Sequence, residues 1–164
     1  MTYKTLMELF EKIASKHYQI SSFKSGYMDE VDIKKLNSTA YPLLYAEPQP
    51  VTVNTGVITY NINLYIMELI QDDLESQDDA ITETLLIMQD VIDSFKHSMA
   101  ETSWVYKNTF NQKNKLGVVL ETPITIEPFN ARFDNVLTGW NTALSITANN
   151  TNNLCAAPIN TAGV

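Results

Sequence analysis

The chain has few of the residues from which catalytic and metal sites are built. Its 164 residues include one cysteine, Cys155, and two histidines, His17 and His97. No intrachain disulfide can form, and no cysteine or second histidine stands at metal-ligand spacing. The five glycines are too scattered for a phosphate-binding loop, and neither Gly-x-Ser-x-Gly nor His-Glu-x-x-His occurs. We therefore predict no catalytic, cofactor-binding or metal-binding residue and no enzymatic activity, and we interpret both histidines as helix-surface or capping residues.

Positive charge and long apolar runs are also scarce. The net charge is −8, and Arg132 is the only arginine. Residues 68–101 hold ten acidic residues and one lysine, a net charge of −9, so the remaining residues sum to about +1. Binding to a nucleic-acid backbone requires clustered lysine and arginine, so we do not expect it as the main activity.

No run approaches the ~18 apolar residues of a membrane span, and the first residues lack the apolar core of a secretory signal. We expect a protein made in a cytoplasm, with no membrane partner.

The strongest structural pattern is a strand followed by a helix between Gly56 and Met99. Residues 57–66 alternate between apolar and polar side chains, which predicts a strand with one buried face. From Ser76 onward, apolar residues recur every three or four positions, as on the buried side of an amphipathic helix. The predicted buried positions are Ile81, Leu85, Met88, Ile92, Phe95 and Met99.

The complete pattern predicts an α+β fold in a single domain over residues 1–164. An antiparallel β-sheet is centred on strand 57–67, and the two main helices, 2–18 and 77–99, pack on one face of it. Further strands are predicted at 41–46, 123–128 and 136–147, with a short helical turn at 29–36. The segment 102–122 contains an extended loop or hairpin, and a C-terminal arm, 148–164, follows the core, 1–147.

The last 30 residues, after Asp134, carry no charged side chain. Two interpretations stay open: a tail without fixed structure, or an arm that becomes ordered against a neighbouring subunit. For the second we predict subunit contacts in the loop 108–116, in the last strand and in the arm. The residues concerned are Asn111, Lys113, Lys115, Trp140, Leu154, Cys155 and Ile159.

The second helix carries acidic residues opposite its predicted apolar stripe. They are Asp79, Glu83, Asp90 and Asp93, with Leu86 among them. A solvated outer face is one interpretation. The other is that several copies of this face surround a channel, or face a partner, and repel nucleic acid so that DNA passes without sticking.

The last predicted strand and the arm carry a resemblance to a known family. The strand Leu137-Thr138-Gly139-Trp140-Asn141-Thr142-Ala143-Leu144-Ser145-Ile146, followed by an Asn-rich arm with Leu154-Cys155, resembles neck and tail-completion proteins of tailed bacteriophages. It is most similar to small virion proteins of the tail-terminator type, and the element order resembles theirs over nearly the whole chain.

The resemblance implies a structural virion protein that forms a homo-oligomeric ring, commonly a hexamer, at the head–tail neck or the tail end. Its partners would be copies of itself and neighbouring proteins such as a connector or stopper, a tail tube or a sheath. DNA would pass through the lumen without specific binding. The alternative is a non-enzymatic adaptor or assembly chaperone that binds another virion protein as a monomer or dimer.

Overall fold

The computed structural model of the chain describes residues 1–28, 39–70, 74–103, 118–132 and 136–150. These residues form two helices and seven strands, an α+β fold as predicted. The helices are α1 (Tyr3–Lys16) and α2 (Leu74–Ser103). The strands are β1 (Ser22–Ser25), β2 (Leu43–Pro48), β3 (Thr52–Asn54), β4 (Val57–Leu69), β5 (Val118–Leu120), β6 (Ile126–Arg132) and β7 (Val136–Asn149).

All seven strands belong to one sheet, in the order β1-β2-β4-β7-β5, with β3 also paired to β4 and β6 to β7. The central pair is β4 and β7, which run antiparallel from Val57 opposite Asn149 to Leu69 opposite Leu137. One pair departs from the predicted antiparallel sheet: β1 runs parallel to β2. The sheet is therefore mixed at that edge and antiparallel elsewhere.

The alternation predicted for β4 is confirmed. Tyr60, Ile62, Leu64 and Ile66 are buried in the same cluster as apolar residues of both helices, so α1 and α2 pack on one face of the sheet. The rings of Phe10 in α1 and Phe95 in α2 stack with their centroids 4.8 Å apart, which joins the two helices. We call this side of the sheet the helix face and the opposite side the open face.

The buried side of α2 is rotated relative to the prediction. Met88, Ile92 and Phe95 are buried as predicted, but Ile81 and Leu85 are only half-buried. The residues that the prediction missed are Ala80, Thr84, Ile87 and Val91, all buried. Because residues 85–88 are all apolar, the sequence is compatible with two neighbouring buried sides of the helix. Thr84 is a polar residue, so the sequence pattern did not indicate that it is buried. The Thr84 hydroxyl is satisfied inside the helix, because it donates to the Ala80 carbonyl oxygen at 2.5 Å.

The strand predicted at 123–128 was also misplaced. β6 begins at Ile126 and continues through Pro128 to Arg132 along one side of β7. Proline has no backbone N–H, so it fits a strand at a position where that N–H would point away from the partner strand. β7 continues to Asn149, two residues beyond its predicted end. The predicted helical turn at 29–36, the loop 108–116 and the arm from 151 onward lie outside the described residues.

Candidate assembly surfaces

The outer side of α2 carries an exposed line of acidic side chains. Asp79, Glu83, Asp90 and Asp93 are all exposed. At about 100° per residue they fall within an arc of about 80°. Leu86 lies on the same line and is 55% exposed. We call these five residues the acidic stripe; both interpretations of the sequence require it to be accessible on one subunit, and it is.

Two of the stripe carboxylates have partners within the subunit. His17 Nε2 lies 3.4 Å from Asp90 Oδ2, and Lys96 Nζ lies 3.1 Å from Asp93 Oδ1. His17 is the C-cap of α1, as predicted, and its backbone N–H donates to the carbonyl oxygens of the preceding turn. The contact with Asp90 therefore joins the end of α1 to the middle of α2. An exposed pair such as Lys96–Asp93 contributes little to stability, about 1 kcal/mol or less.

A surface depression of about 550 Å³ lies between the end of α1 and α2. His17, His97, Asp90 and Asp93 line it, together with Lys16, Tyr18, Gln19 and Ser94. The sequence could not reveal that the two histidines share this depression, because they come from different helices. Among the described residues, however, no group of three or more His, Cys, Asp or Glu side chains is placed to hold a metal ion.

Glu68 extends the acidic region from α2 to the end of β4. Its side chain is half-buried, and this burial raises the pKa of the carboxyl group above its ordinary value of 4.5. The backbone N–H of Leu69 donates to Glu68 Oε1 at 3.1 Å and opposes the shift, while the negative charge of Glu83 adds to it.

On the open face, β4 and β7 carry polar side chains near the start of β4 and no charged side chain. The polar residues are Thr59, Asn61, Asn63, Asn141, Ser145, Thr147 and Asn149. Several of them pair across the two strands. The hydroxyls of Thr59 and Thr147 lie 2.9 Å apart, and Ser145 Oγ donates to Asn61 Oδ1 at 2.8 Å. Such cross-strand pairs each stabilise a sheet by a few tenths of a kcal/mol, up to about 1 kcal/mol.

At the margin of this face, one carboxylate accepts four hydrogen bonds. Glu47 in β2 accepts from the Met28 backbone N–H at 3.1 Å, Gln49 Nε2 at 3.1 Å, Asn63 Nδ2 at 3.3 Å and the Tyr65 hydroxyl at 3.1 Å. Burial raises the pKa of Tyr65, and the adjacent negative charge of Glu47 raises it further. Tyr65 therefore remains a protonated donor at neutral pH. Sequence reasoning missed this site because its donors come from three separate segments.

A second apolar cluster lies beside Glu47 on the open face. Its buried members are Leu43, Tyr45, Met67 and Leu137, with Met28, Tyr41, Tyr65 and Phe129 packed around them. The Tyr65 ring makes edge contacts with Phe129 at 5.9 Å and with Tyr45 at 6.5 Å between centroids. The open face thus has a polar half near the start of β4 and an apolar half near its end.

Trp140 lies on the helix face. Its indole N–H donates to the Ile81 carbonyl oxygen of α2 at 2.8 Å, and the side chain is half-buried. This contact lies within one subunit, and the predicted contact with a second subunit stays a prediction. The other residues predicted to contact a neighbour lie outside the described residues: Asn111, Lys113, Lys115, Leu154, Cys155 and Ile159.

Neither of the two described helices is long and apolar enough to cross a membrane. Comparison of the chain with protein-family models and with curated proteins finds no match to either.

Proposed function

We propose that this chain is a structural virion protein of a tailed bacteriophage, of the tail-terminator or tail-completion type. In this proposal it forms a homo-oligomeric ring, six-fold in the simplest case, at the head–tail neck or the tail end. It acts by subunit association and catalyses no reaction. It is assembled in the host cytoplasm and contacts the neighbouring neck or tail proteins.

The observation that carries the proposal is the contrast between the acidic outer side of α2 and the uncharged central strands of the open face. The acidic stripe projects from α2 on the helix face, while the open face of β4 and β7 has no charged residue. A closed ring needs two different surfaces on each subunit that meet head to tail. A ring that DNA crosses also benefits from a lumen that repels DNA, and clustered carboxylates supply that repulsion.

A further feature supports the same proposal. The family resemblance covers nearly the whole chain in element order, and the resembling strand 137–146 lies within β7, at the centre of the sheet.

Electron microscopy of the purified, full-length protein tests this proposal. We expect closed rings in which α2 lines the lumen, with Asp79, Glu83 and Asp90 directed inward. Rings with α2 on the outer circumference would contradict the channel role. A particle that stays a monomer or a dimer would instead favour the adaptor or assembly chaperone.

A further inference from the structure

We infer that His17 is a proton-dependent joint between α1 and α2. Its neutral imidazole holds the turn after α1 through one ring nitrogen and contacts Asp90 of α2 through the other. A proton gained by the ring releases the turn and leaves the contact with α2 in place. The joint lies within one subunit, so it goes beyond the proposed function and does not depend on a ring.

The backbone of His17 is fixed by the end of α1 and by the turn that follows. Its N–H donates to two carbonyl oxygens in the last turn of α1, at 3.1 and 3.2 Å, and its carbonyl oxygen accepts from the Ile20 N–H at 3.3 Å. The next N–H, that of Ser21, donates to the Pro42 carbonyl oxygen just before β2, at 2.9 Å. The imidazole therefore extends from a backbone position that both the helix and the sheet define.

Both ring nitrogens of His17 have a partner. Nδ1 accepts from the backbone N–H of Gln19, with 3.3 Å between the two nitrogen atoms. Nε2 lies 3.4 Å from Asp90 Oδ2. The side chain of His17 is only 14% exposed, whereas that of Asp90 is 65% exposed. The ring is therefore held between the turn and α2, while the carboxylate stays in contact with water.

These two partners select one neutral form of the ring. A backbone N–H can only donate, and an ionised carboxylate can only accept. Neutral imidazole has one nitrogen that accepts and one that donates, so Nδ1 carries the lone pair and Nε2 carries the proton. The other tautomer would place an N–H against the Gln19 N–H and a lone pair against Asp90, and it would lose both contacts.

Protonation of the ring changes these two contacts in opposite ways. Both nitrogens of an imidazolium ion donate, so Nε2–H still donates to Asp90, and the two groups now carry opposite charges. Nδ1 can no longer accept, so the Gln19 N–H faces another donor and the turn 17–20 separates from the ring. Imidazole side chains generally change charge between about pH 5 and about pH 8, so this exchange of contacts is within reach of experiment.

The other charged and titratable groups around the ring come from both helices. Lys16 and Tyr18 at the end of α1, and Asp93 and His97 in α2, line the same depression, and Lys96 pairs with Asp93. Among the described residues, Asp90 supplies the one carboxylate within 4.0 Å of the His17 ring nitrogens. His97 carries a second imidazole, so the experiment has to distinguish the two histidines.

The position of the ring proton is the first test. The untagged, full-length chain has two histidines, so selective isotope labelling of the histidine nitrogens gives NMR signals from only two rings. The variant His97→Gln leaves those of His17 alone. At about pH 8 we expect the His17 ring to carry its proton on Nε2 and the lone pair on Nδ1. A proton on Nδ1, or a mixture of both tautomers, would overturn the inference.

Hydrogen exchange of the Gln19 backbone amide tests the release of the turn. After correction for the intrinsic effect of pH on exchange, this amide should exchange about fivefold or more faster when His17 is protonated, because it loses a hydrogen bond. Mass spectrometry of peptides that contain Gln19 measures the rate whatever the oligomeric state of the chain. An exchange rate that does not follow the charge of the His17 ring would contradict the joint.

His17→Asn removes the proton-dependent step and keeps the acceptor. The asparagine Oδ1 takes the place of the imidazole Nδ1 and accepts from the Gln19 N–H at every pH, so the pH response of this amide should vanish. His97→Gln is the matched control, because it changes the other histidine of the depression and should keep the response. A response that persists in His17→Asn or disappears in His97→Gln would overturn the inference. If His17→Asn does not fold, the ring tautomer in His97→Gln decides the question.

Discussion

At the scale of single residues, Gly139 has little freedom to change. It lies in β7 opposite Met67, and a Cβ atom at this position would stand 1.9 Å from the Ile66 carbonyl oxygen. The two central strands could accept it only by separating. Gly56, in the β3–β4 turn, has a φ of +78°, but its Cβ would meet nothing within 4 Å.

The two glycines therefore form a matched pair. We expect Gly139→Ala to lower the free energy of unfolding by about 3 kcal/mol or more, because steric overlap and backbone strain add. Gly56→Ala should cost only about 1–2 kcal/mol, the cost of a left-handed backbone for alanine. Urea unfolding followed by circular dichroism measures both, and equal losses would show that the strands do not approach as closely as the structure has them.

Glu68 provides a prediction about pH at the same scale. Its raised pKa means that the folded state binds the proton more tightly than the unfolded state does. Stability should therefore fall as the pH rises from about 4.5 through the folded-state pKa, and the full penalty should be present above it.

The variant Glu68→Gln removes this penalty and keeps an oxygen for the Leu69 N–H. We expect it to be more stable than the native chain at neutral pH, with the difference shrinking toward acid pH. The control is Glu11→Gln, the same change at an exposed position of α1. Urea midpoints measured from about pH 4 to about pH 8 provide the comparison. If the stability gained by Glu68→Gln did not depend on pH, burial of the carboxylate charge would not be the cause of that gain.

At the scale of elements, the period of β4 could be read from the sequence, but the rotation of α2 could not. Strict alternation over residues 57–66 has one solution, because shifting a strand by one residue exchanges its two faces. In α2 the run Leu85-Leu86-Ile87-Met88 is compatible with two buried sides whose centres lie about 55° apart. Only packing against α1 and the sheet decides between them, and it buries Ile87 and leaves Leu85 half-buried.

The same limit explains the other differences between sequence and structure. By propensity, Pro128 is expected at the end of a strand. It is nevertheless compatible with the interior of β6, because β6 pairs with β7 along one of its edges. The Glu47 site needs donors from three segments, and their meeting depends on the register of β2 with β4. The acidic stripe was predictable because it depends only on spacing within one helix.

Neighbouring positions in α2 test its rotation. We expect Ile87→Ala to cost about 2–5 kcal/mol, because Ile87 is fully buried and its loss leaves a cavity. Leu86→Ala, a change of similar size, should alter the free energy of unfolding by no more than about 0.5 kcal/mol. Thermal or urea unfolding distinguishes the two. A larger loss for Leu86→Ala than for Ile87→Ala would mean that α2 packs against the sheet through the side that carries Leu86.

At the scale of the whole molecule, the chain divides its surface by chemistry. Residues 68–101 hold a net charge of −9, and the central strands of the open face hold none. An acidic outer side of α2 is also compatible with a solvated helix. The proposed ring directs the acidic stripe toward its lumen and the uncharged open-face side of β4 and β7 toward a neighbour.

The mass of the full-length protein in solution, followed over a range of concentrations, tests the central claim most directly. The chain has a mass of 18.5 kDa, so six copies in a closed ring give about 111 kDa. We expect a species of this order to appear as the concentration rises, without larger open-ended polymers. A mass that stays at one or two chains at every concentration would contradict the account.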